Sequence, residues 1–435
     1  MTHQGLRQRA VLGATVALSL TLFTTAAATD PTETLARVTV TPAGKAQFLD
    51  VLRLGFDWLS FSDTALEFYA DAEDLRRLAE LGVSTQIEIP DVRQWYAERL
   101  AADLARLDSL GGLQGGPATM GGFETYSEIV AHLDLTSGLH SSIVTGKFSI
   151  GTTLEGNDIW AIKISDNPGF DEDEPEVLLT SLTHAREPMG AAVTLGVLDY
   201  LADNYGVLPW ITDYVDTREI YIIPVVNPDG YLYNELIAPG GGGMWRKNRR
   251  DNGGSFGVDL NRNWGAHWGY DNFGSSPNPS SDTYRGTGAF SENETSALRD
   301  FILSRTFSVI HNHHSYGQLE LWPAGYDRFF TVDEPAFQII GSTAAALTTS
   351  TPQIGWELYP TNGEADDWAY AALGVVSMTA EIGAAFWPLP SEIPGLRDDF
   401  IQANLYLIDI ADNPFKVGPP RAPMLLAPDS VTIDS

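Results

Sequence analysis

The stretch Glu176-Val177-Leu178-Leu179-Thr180-Ser181-Leu182 is an apolar strand run, and it leads directly into Thr183-His184-Ala185-Arg186-Glu187-Pro188. A helical pattern then continues from Pro188 to Asn204, so His184 and Glu187 fall where a strand ends and a helix begins. Open α/β sheets place their ligands at that carboxyl edge. Imidazole and carboxylate three residues apart on one turn can converge on a single ion, and nitrogen with oxygen is a zinc-type donor pair.

Working outward, residues 122–415 alternate apolar strand runs with longer helical patterns, which predicts an α/β domain with a mixed twisted sheet flanked by helices. The clearest strands are Glu176 to Leu182, Arg218 to Val226, Phe307 to His313 and Gly374 to Ala380, and the clearest helices are Pro188 to Asn204, Ser291 to Ser304 and Pro335 to Thr349. A second histidine cluster, Ile310-His311-Asn312-His313-His314-Ser315-Tyr316, ends one of these strands. It can supply a third, imidazole ligand. Alternation puts His311 and His313 on one face and His314 on the other, which leaves the choice of ligand open.

Hydrolysis at a metal also needs a carboxylate to take a proton from water and a cation or dipole for the developing oxyanion. Met244-Trp245-Arg246-Lys247 and Asn261-Arg262-Asn263-Trp264 offer guanidinium groups, which suit bidentate capture of a carboxylate. Glu381 ends the apolar strand before Ile382-Gly383, where its desolvation must be offset by a partner or a function.

Upstream, residues 29–107 read as a small α+β unit. Alternation at Ala36, Val38 and Val40 gives a strand, Ala43 to Leu54 a helix, and Phe56 to Phe61 and Ala65 to Tyr69 two more strands. Asp71 caps a helix through Leu75, Leu78 and Leu81, Val83 to Ile89 alternates as a strand, and Pro90-Asp91 opens a helix to about Leu107. The order βαββαβ is ferredoxin-like. Residues 108–121 are glycine-rich and read as a linker, and residues 416–435, rich in proline, as a tail or further linker.

Residues 1–28 carry Arg7 and Arg9, an apolar run from about Ala10 to Phe23, and Ala26-Ala27-Ala28, the layout of a cleavable signal peptide; a secreted product is expected. That run is shorter than the roughly 20 residues a membrane span needs, so no stable membrane insertion is expected. The 435 residues contain no cysteine, which excludes disulfides, thiolate nucleophiles and thiolate metal sites. A formal charge of -31, with 57 acidic residues against 26 Lys and Arg, argues against nucleic acid as a partner.

Together these residues resemble the metallocarboxypeptidases of the carboxypeptidase A and B type, over roughly residues 120–413. His184-Ala185-Arg186-Glu187 looks like the family's zinc motif and His314-Ser315-Tyr316 like its third-ligand motif; Asn227-Pro228-Asp229-Gly230 and Tyr284-Arg285-Gly286 match further signatures in the family's order. The resemblance implies one Zn2+ held by His184, Glu187 and His314. It makes Glu381 the general base and Arg246 the oxyanion partner. Asn261, Arg262 and Tyr359 would hold a substrate's terminal carboxylate, with Arg186 and Tyr316 also in the substrate site, while Asp259 would orient His184. It implies a monomer that acts on peptide or protein C-termini, made as a zymogen with its own pro-segment as inhibitor.

By the same resemblance Asp366 falls at the floor of the side-chain pocket, where an acidic residue favours Lys or Arg. Ile354, where the basic-specific subtype has a small residue, and the nearby Glu364 make mixed basic and apolar specificity the competing expectation. A zinc endopeptidase or amidase is the first rival, against which Arg262 speaks, since a residue dedicated to a terminal carboxylate has no use without one. A non-catalytic module is the second, opposed by the joint presence of Glu381, Arg246 and three ligands.

Overall fold

In the N-terminal unit, apolar side chains at every second position of β1 (Ala36–Thr41) must be covered, and α1 (Lys45–Leu52) supplies that cover. The structure, a computed structural model, describes residues 34–62, 64–110 and 119–417. The expected signal peptide, most of the glycine-rich linker and nearly all of the tail lie outside the described residues. After α1 come β2 (Trp58–Phe61), β3 (Leu66–Ala70), α2 (Ala72–Glu80), β4 (Ser84–Ile89) and α3 (Val92–Ser109). The four strands form an antiparallel sheet in the order β2-β3-β1-β4, the expected ferredoxin-like arrangement. Val38, Val40, Leu66, Phe68, Val51 and Leu78 fill its core. Asp71 and Asp91 cap α2 and α3 by accepting from Asp74 N (2.8 Å) and Gln94 N (3.0 Å).

The larger unit runs α4 (Tyr126–Leu139), β5 (Phe148–Thr152), β6 (Asp158–Ile164), β7 (Glu176–Ser181), α5 (Met189–Asn204), α6 (Pro209–Asp216), β8 (Glu219–Ile223), α7 (Pro228–Ile237), α8 (Asn293–Leu303), β9 (Phe307–His314), β10 (Leu319–Trp322), α9 (Glu334–Thr348), β11 (Thr351–Ile354), α10 (Ala365–Leu373), β12 (Val376–Glu381) and α11 (Ile393–Asp409). Its sheet has the order β11-β10-β12-β9-β7-β8-β6-β5. The central strands β12, β9, β7 and β8 are parallel, and β10, β6 and β5 add antiparallel pairings on either side. This is the mixed sheet expected. Val193, Val197, Leu201, Ile340, Phe400 and Leu405 from α5, α9 and α11 cover one face, while Trp264, Leu298 and Trp368 cover the other.

Among the boundaries that differ from the sequence reading, two have clear local reasons. Strand β8 stops at Ile223 because Pro224 follows and has no N–H for the ladder; its carbonyl accepts from Ser181 Oγ instead (2.6 Å). Strand β12 begins two residues late because Gly374 still closes the last turn of α10 through Tyr370 O (2.8 Å). Among the described residues no helix is long and apolar enough to cross a membrane.

The start of α5 lies hard against the strands that feed the site. A Cβ at Gly190 would come 2.8 Å from the His313 Cβ, the His313 carbonyl and the Ser181 Cβ. Gly190→Ala is therefore expected to push the helix off β7 and β9 and to cost about 1–3 kcal/mol. Thermal unfolding checks this: a midpoint lowered by several degrees is expected, and an unchanged one would show that the contact is slack.

Candidate metal centre and substrate cleft

Strands β7 and β9 are parallel neighbours, with Ser181 beside His313, so the segments beyond their carboxyl ends emerge together. His184, Glu187 and His314 meet there, all buried. His184 Nδ1 lies 3.0 and 3.1 Å from the two Glu187 carboxylate oxygens, and His314 Nδ1 lies 3.0 Å from His184 Nδ1 and 2.9 Å from Glu187 Oε2. Burial would push the Glu187 carboxyl up, but the two imidazoles outweigh it and hold it well below the usual range.

The donor set fits a zinc ion. On its other side His184 Nε2 lies 3.1 Å from Asp259 Oδ1, and a proton held on that nitrogen leaves Nδ1 with a lone pair for a metal. Three electron-pair donors then converge with spacings of 2.9–3.1 Å. A tetrahedral zinc ion with bonds of about 2.0–2.1 Å sets its ligand atoms roughly 3.3 Å apart. His311 and His313 bond Asn404 instead, so of the three histidines it is His314 that joins His184 and Glu187 in the group that could hold a metal.

The remaining residues named from the sequence border the same cleft. Glu381 pairs with His314 in the β9–β12 register, and burial together with Glu187 pushes its carboxyl up to about 8. Arg246 donates Nε and Nη2 to Asp259 Oδ2 (3.1 and 2.9 Å), and its Nη1 lies 3.7 Å from Glu187. Burial would push Asp259 up, but Arg246, Arg262 and His184 outweigh it and hold that carboxyl well below the ordinary range. The loop carrying Arg246 is bonded to the ligand turn: Ala185 N donates to Arg246 O (2.9 Å), and Asn234 Nδ2 bridges the carbonyls of Ala185 and Trp245. Asn234 is a supporting residue that the sequence did not single out.

Asn261 Oδ1 accepts from Ala365 N (3.0 Å) at the start of α10. Arg262 is buried; its Nη1 donates to Asn261 O (2.7 Å), and its Nε has no partner. Among the described residues it makes no ion pair. Tyr359, Tyr316, Arg186, Asp366 and Glu364 complete the walls, together with Gly355 and Leu358. Ile354 is instead buried in the core. Asp366 sits in the first turn of α10 without capping it, and bonds across to β9 and β12.

One important residue was missed. Asp57, between Phe56 and Trp58 of the N-terminal unit, is buried in the cleft; it bonds Arg186 and lies 3.5 Å from Arg246 Nη1. Burial would raise its carboxyl, but Arg246 and Arg186 together hold it below the normal range. The only hint in the sequence was a charge set between two aromatic residues.

A sheet edge that gathers two imidazoles, a carboxylate, a second carboxylate and buried arginines defines a metal-dependent hydrolase. Residues 129–402 match the zinc carboxypeptidase family. A zinc carboxypeptidase of Saccharothrix mutabilis subsp. capreolus is 34% identical over 393 residues, covering 86% of this chain and 87% of that one. Carboxypeptidase A2 of Mus musculus is 30% identical over 370 residues, 80% and 84% of the two chains. In structure, the carboxypeptidase A of Helicoverpa armigera superposes with a TM-score of 0.74 at 25% identity, covering 88% of this chain and 98% of that one. The chain belongs to the zinc carboxypeptidase family: it is a metallopeptidase, and its cofactor is Zn2+.

Asp259→Asn leaves one acceptor oxygen where His184 and Arg246 now use two and turns a donating amide toward one of them, so zinc affinity is expected to fall about 10- to 100-fold. Competition with a fluorescent zinc chelator measures it, and undiminished retention would separate Asp259 from the metal.

Proposed function

We propose that this chain is a secreted zymogen whose active form releases single amino acids from peptide C-termini, with a preference for basic or for mixed basic and apolar side chains. The observation that carries the exopeptidase reading is Arg262, a buried guanidinium with an unpartnered Nε, no ion pair among the described residues, and a place in the cleft wall. A terminal carboxylate is the group that would satisfy it. The same argument disfavours an endopeptidase, whose substrate has no charge to place there.

His184, Glu187 and His314 would hold the zinc ion, which when bound would polarise the scissile carbonyl and acidify water. Glu381 then takes a proton from the attacking water and delivers it to the leaving amine. Arg246 faces the negative charge that grows on the carbonyl oxygen. Asn261, Arg262 and Tyr359 clamp the terminal carboxylate, Arg186 and Tyr316 border the upstream peptide, and Asp259 keeps His184 in its ligating tautomer. The pocket holds Asp366 and Glu364, and two carboxylates there support a basic preference.

Residues 1–28 act as the signal peptide in this reading, 29–107 as the pro-segment, 108–121 as the linker, 122–415 as the catalytic domain and 416–435 as the tail. Asp57 supports the zymogen: its carboxylate occupies Arg186 and Arg246, and Trp58 and Leu59 line the cleft that a peptide must enter.

Two measurements test the proposal. After limited proteolysis and quenching of the activating protease, peptides with free C-termini are expected to lose one residue at a time, and amidated or chelator-treated controls none; mass spectrometry reads both. Internal cleavage would favour the endopeptidase. In the uncut chain, Asp57→Ala removes the contact with both arginines, and residual activity is expected to rise about tenfold or more. No rise, with proteolysis still activating, would place the inhibition elsewhere.

A further inference from the structure

The side-chain pocket carries two carboxylates whose surroundings differ. Asp366 is 7% exposed and committed to the protein: Oδ1 accepts from Asn312 Nδ2 (2.7 Å) and Ser377 Oγ (2.6 Å), and Oδ2 from Thr379 Oγ1 (2.6 Å). Those donors stand on β9 and β12, so the carboxylate fastens α10 to the sheet. Three of its roughly four lone-pair positions are taken.

Glu364, at the start of the same helix, is only half-buried. Its Oε2 accepts from Thr361 Oγ1 (2.6 Å), and among the described residues Oε1 has no donor. Oε1 lies over the backbone of Gly325, where a Cβ would come within 2.1 Å of it, so the glycine makes room for this carboxylate. No Lys or Arg forms an ion pair with either group among the described residues. Arg262 and His314 lie farther off, and Asp366 and Asp367 add negative charge.

Resting on the carboxypeptidase reading above, we infer that Glu364 is the residue that contacts the positive charge of a terminal Lys or Arg side chain, while Asp366 positions the pocket wall. An incoming ammonium or guanidinium finds on Glu364 an oxygen with open acceptor positions, which Asp366 can barely offer. Burial and the charge of Asp366 push the Glu364 carboxyl up to about 7, and a cation arriving beside it relieves that cost. An apolar side chain gains nothing from Glu364 and must desolvate it.

Steady-state kinetics of the full chain after limited proteolysis tests this, with matched peptides ending in Arg, Lys, Leu and Phe. Glu364→Gln is expected to lower kcat/KM for the basic peptides by about 30-fold or more, mainly through KM, and to raise it for the apolar ones. Asp366→Asn is expected to weaken both classes alike, because the lost hydrogen bonds support the wall. Free L-arginine should inhibit Glu364→Gln with a Ki raised by the same factor, which reads the pocket without turnover. If Glu364→Gln keeps its ratio of basic to apolar activity while Asp366→Asn loses it, the assignment is overturned. A wild-type enzyme that leaves basic C-termini uncut would sink the basic preference itself. Wild-type cleavage of them with Glu364→Gln unaffected would leave the preference standing and remove Glu364 from it.

Discussion

Two imidazole nitrogens and a carboxylate held about 3 Å apart, on side chains that are nearly fully buried, form an arrangement that a protein interior does not adopt without cause. Lone pairs facing one another repel, and each donor has given up its hydration. Much of the larger unit follows from holding them together. Strands β7 and β9 must be adjacent and parallel so that His184 and His314 emerge side by side, and β12 must join β9 in the register that sets Glu381 beside His314. Gly190 lets α5 close on both strands, and Asp259 holds His184 from behind. The positive charge that the cluster lacks is the one that zinc brings.

Charge in the cleft is arranged against the trend of the molecule. The chain carries a formal charge of -31, yet Arg186, Arg246 and Arg262 are each nearly fully buried around one small volume. Burying a guanidinium is tolerable only with partners, and the three differ in how they are partnered. Arg246 has Asp259 permanently, Arg186 has Asp57, and Arg262 has no carboxylate among the described residues. The site therefore presents a graded set of demands for negative charge, from the fully met to the unmet. In the exopeptidase reading proposed above, that gradation, more than the net charge, would set where an anionic peptide end comes to rest.

Legibility in the sequence followed the range of the interactions. Strands β7 and β9 and helices α5, α8 and α9 were readable because each is a continuous local pattern with its own end signals. The short strands β10 and β11, four residues each, depend on pairing with distant partners and left no periodicity to find. Among site residues, the zinc-type pair was visible from spacing, but His314 was separable from His311 and His313 only through the resemblance or the finished sheet. Asp57 and Asn234 were invisible for a physical reason: Asp57 acts on Arg186 and Asn234 ties Ala185 to Trp245, contacts that only the folded chain brings together, and no local rule marks them.

In the zymogen reading proposed above, the N-terminal unit would hold the cleft closed securely and still release it after one cut. Arg246 gives two of its nitrogens to Asp259 and turns Nη1 toward Asp57 and Glu187, so the N-terminal unit sets a carboxylate beside the guanidinium that the proposal assigns to the oxyanion. Such a contact cannot be strong by burial alone, because Asp57 and the arginines lose hydration that their attraction largely only repays. Its strength as an inhibitor comes from attachment. A segment joined to the domain by a short connection competes at an effective concentration of about millimolar, whereas the same segment cut free competes only at its dilute bulk concentration. In that reading a modest ion pair would keep the cleft closed while the chain is whole, and a single cut would open it without any change in the pair itself.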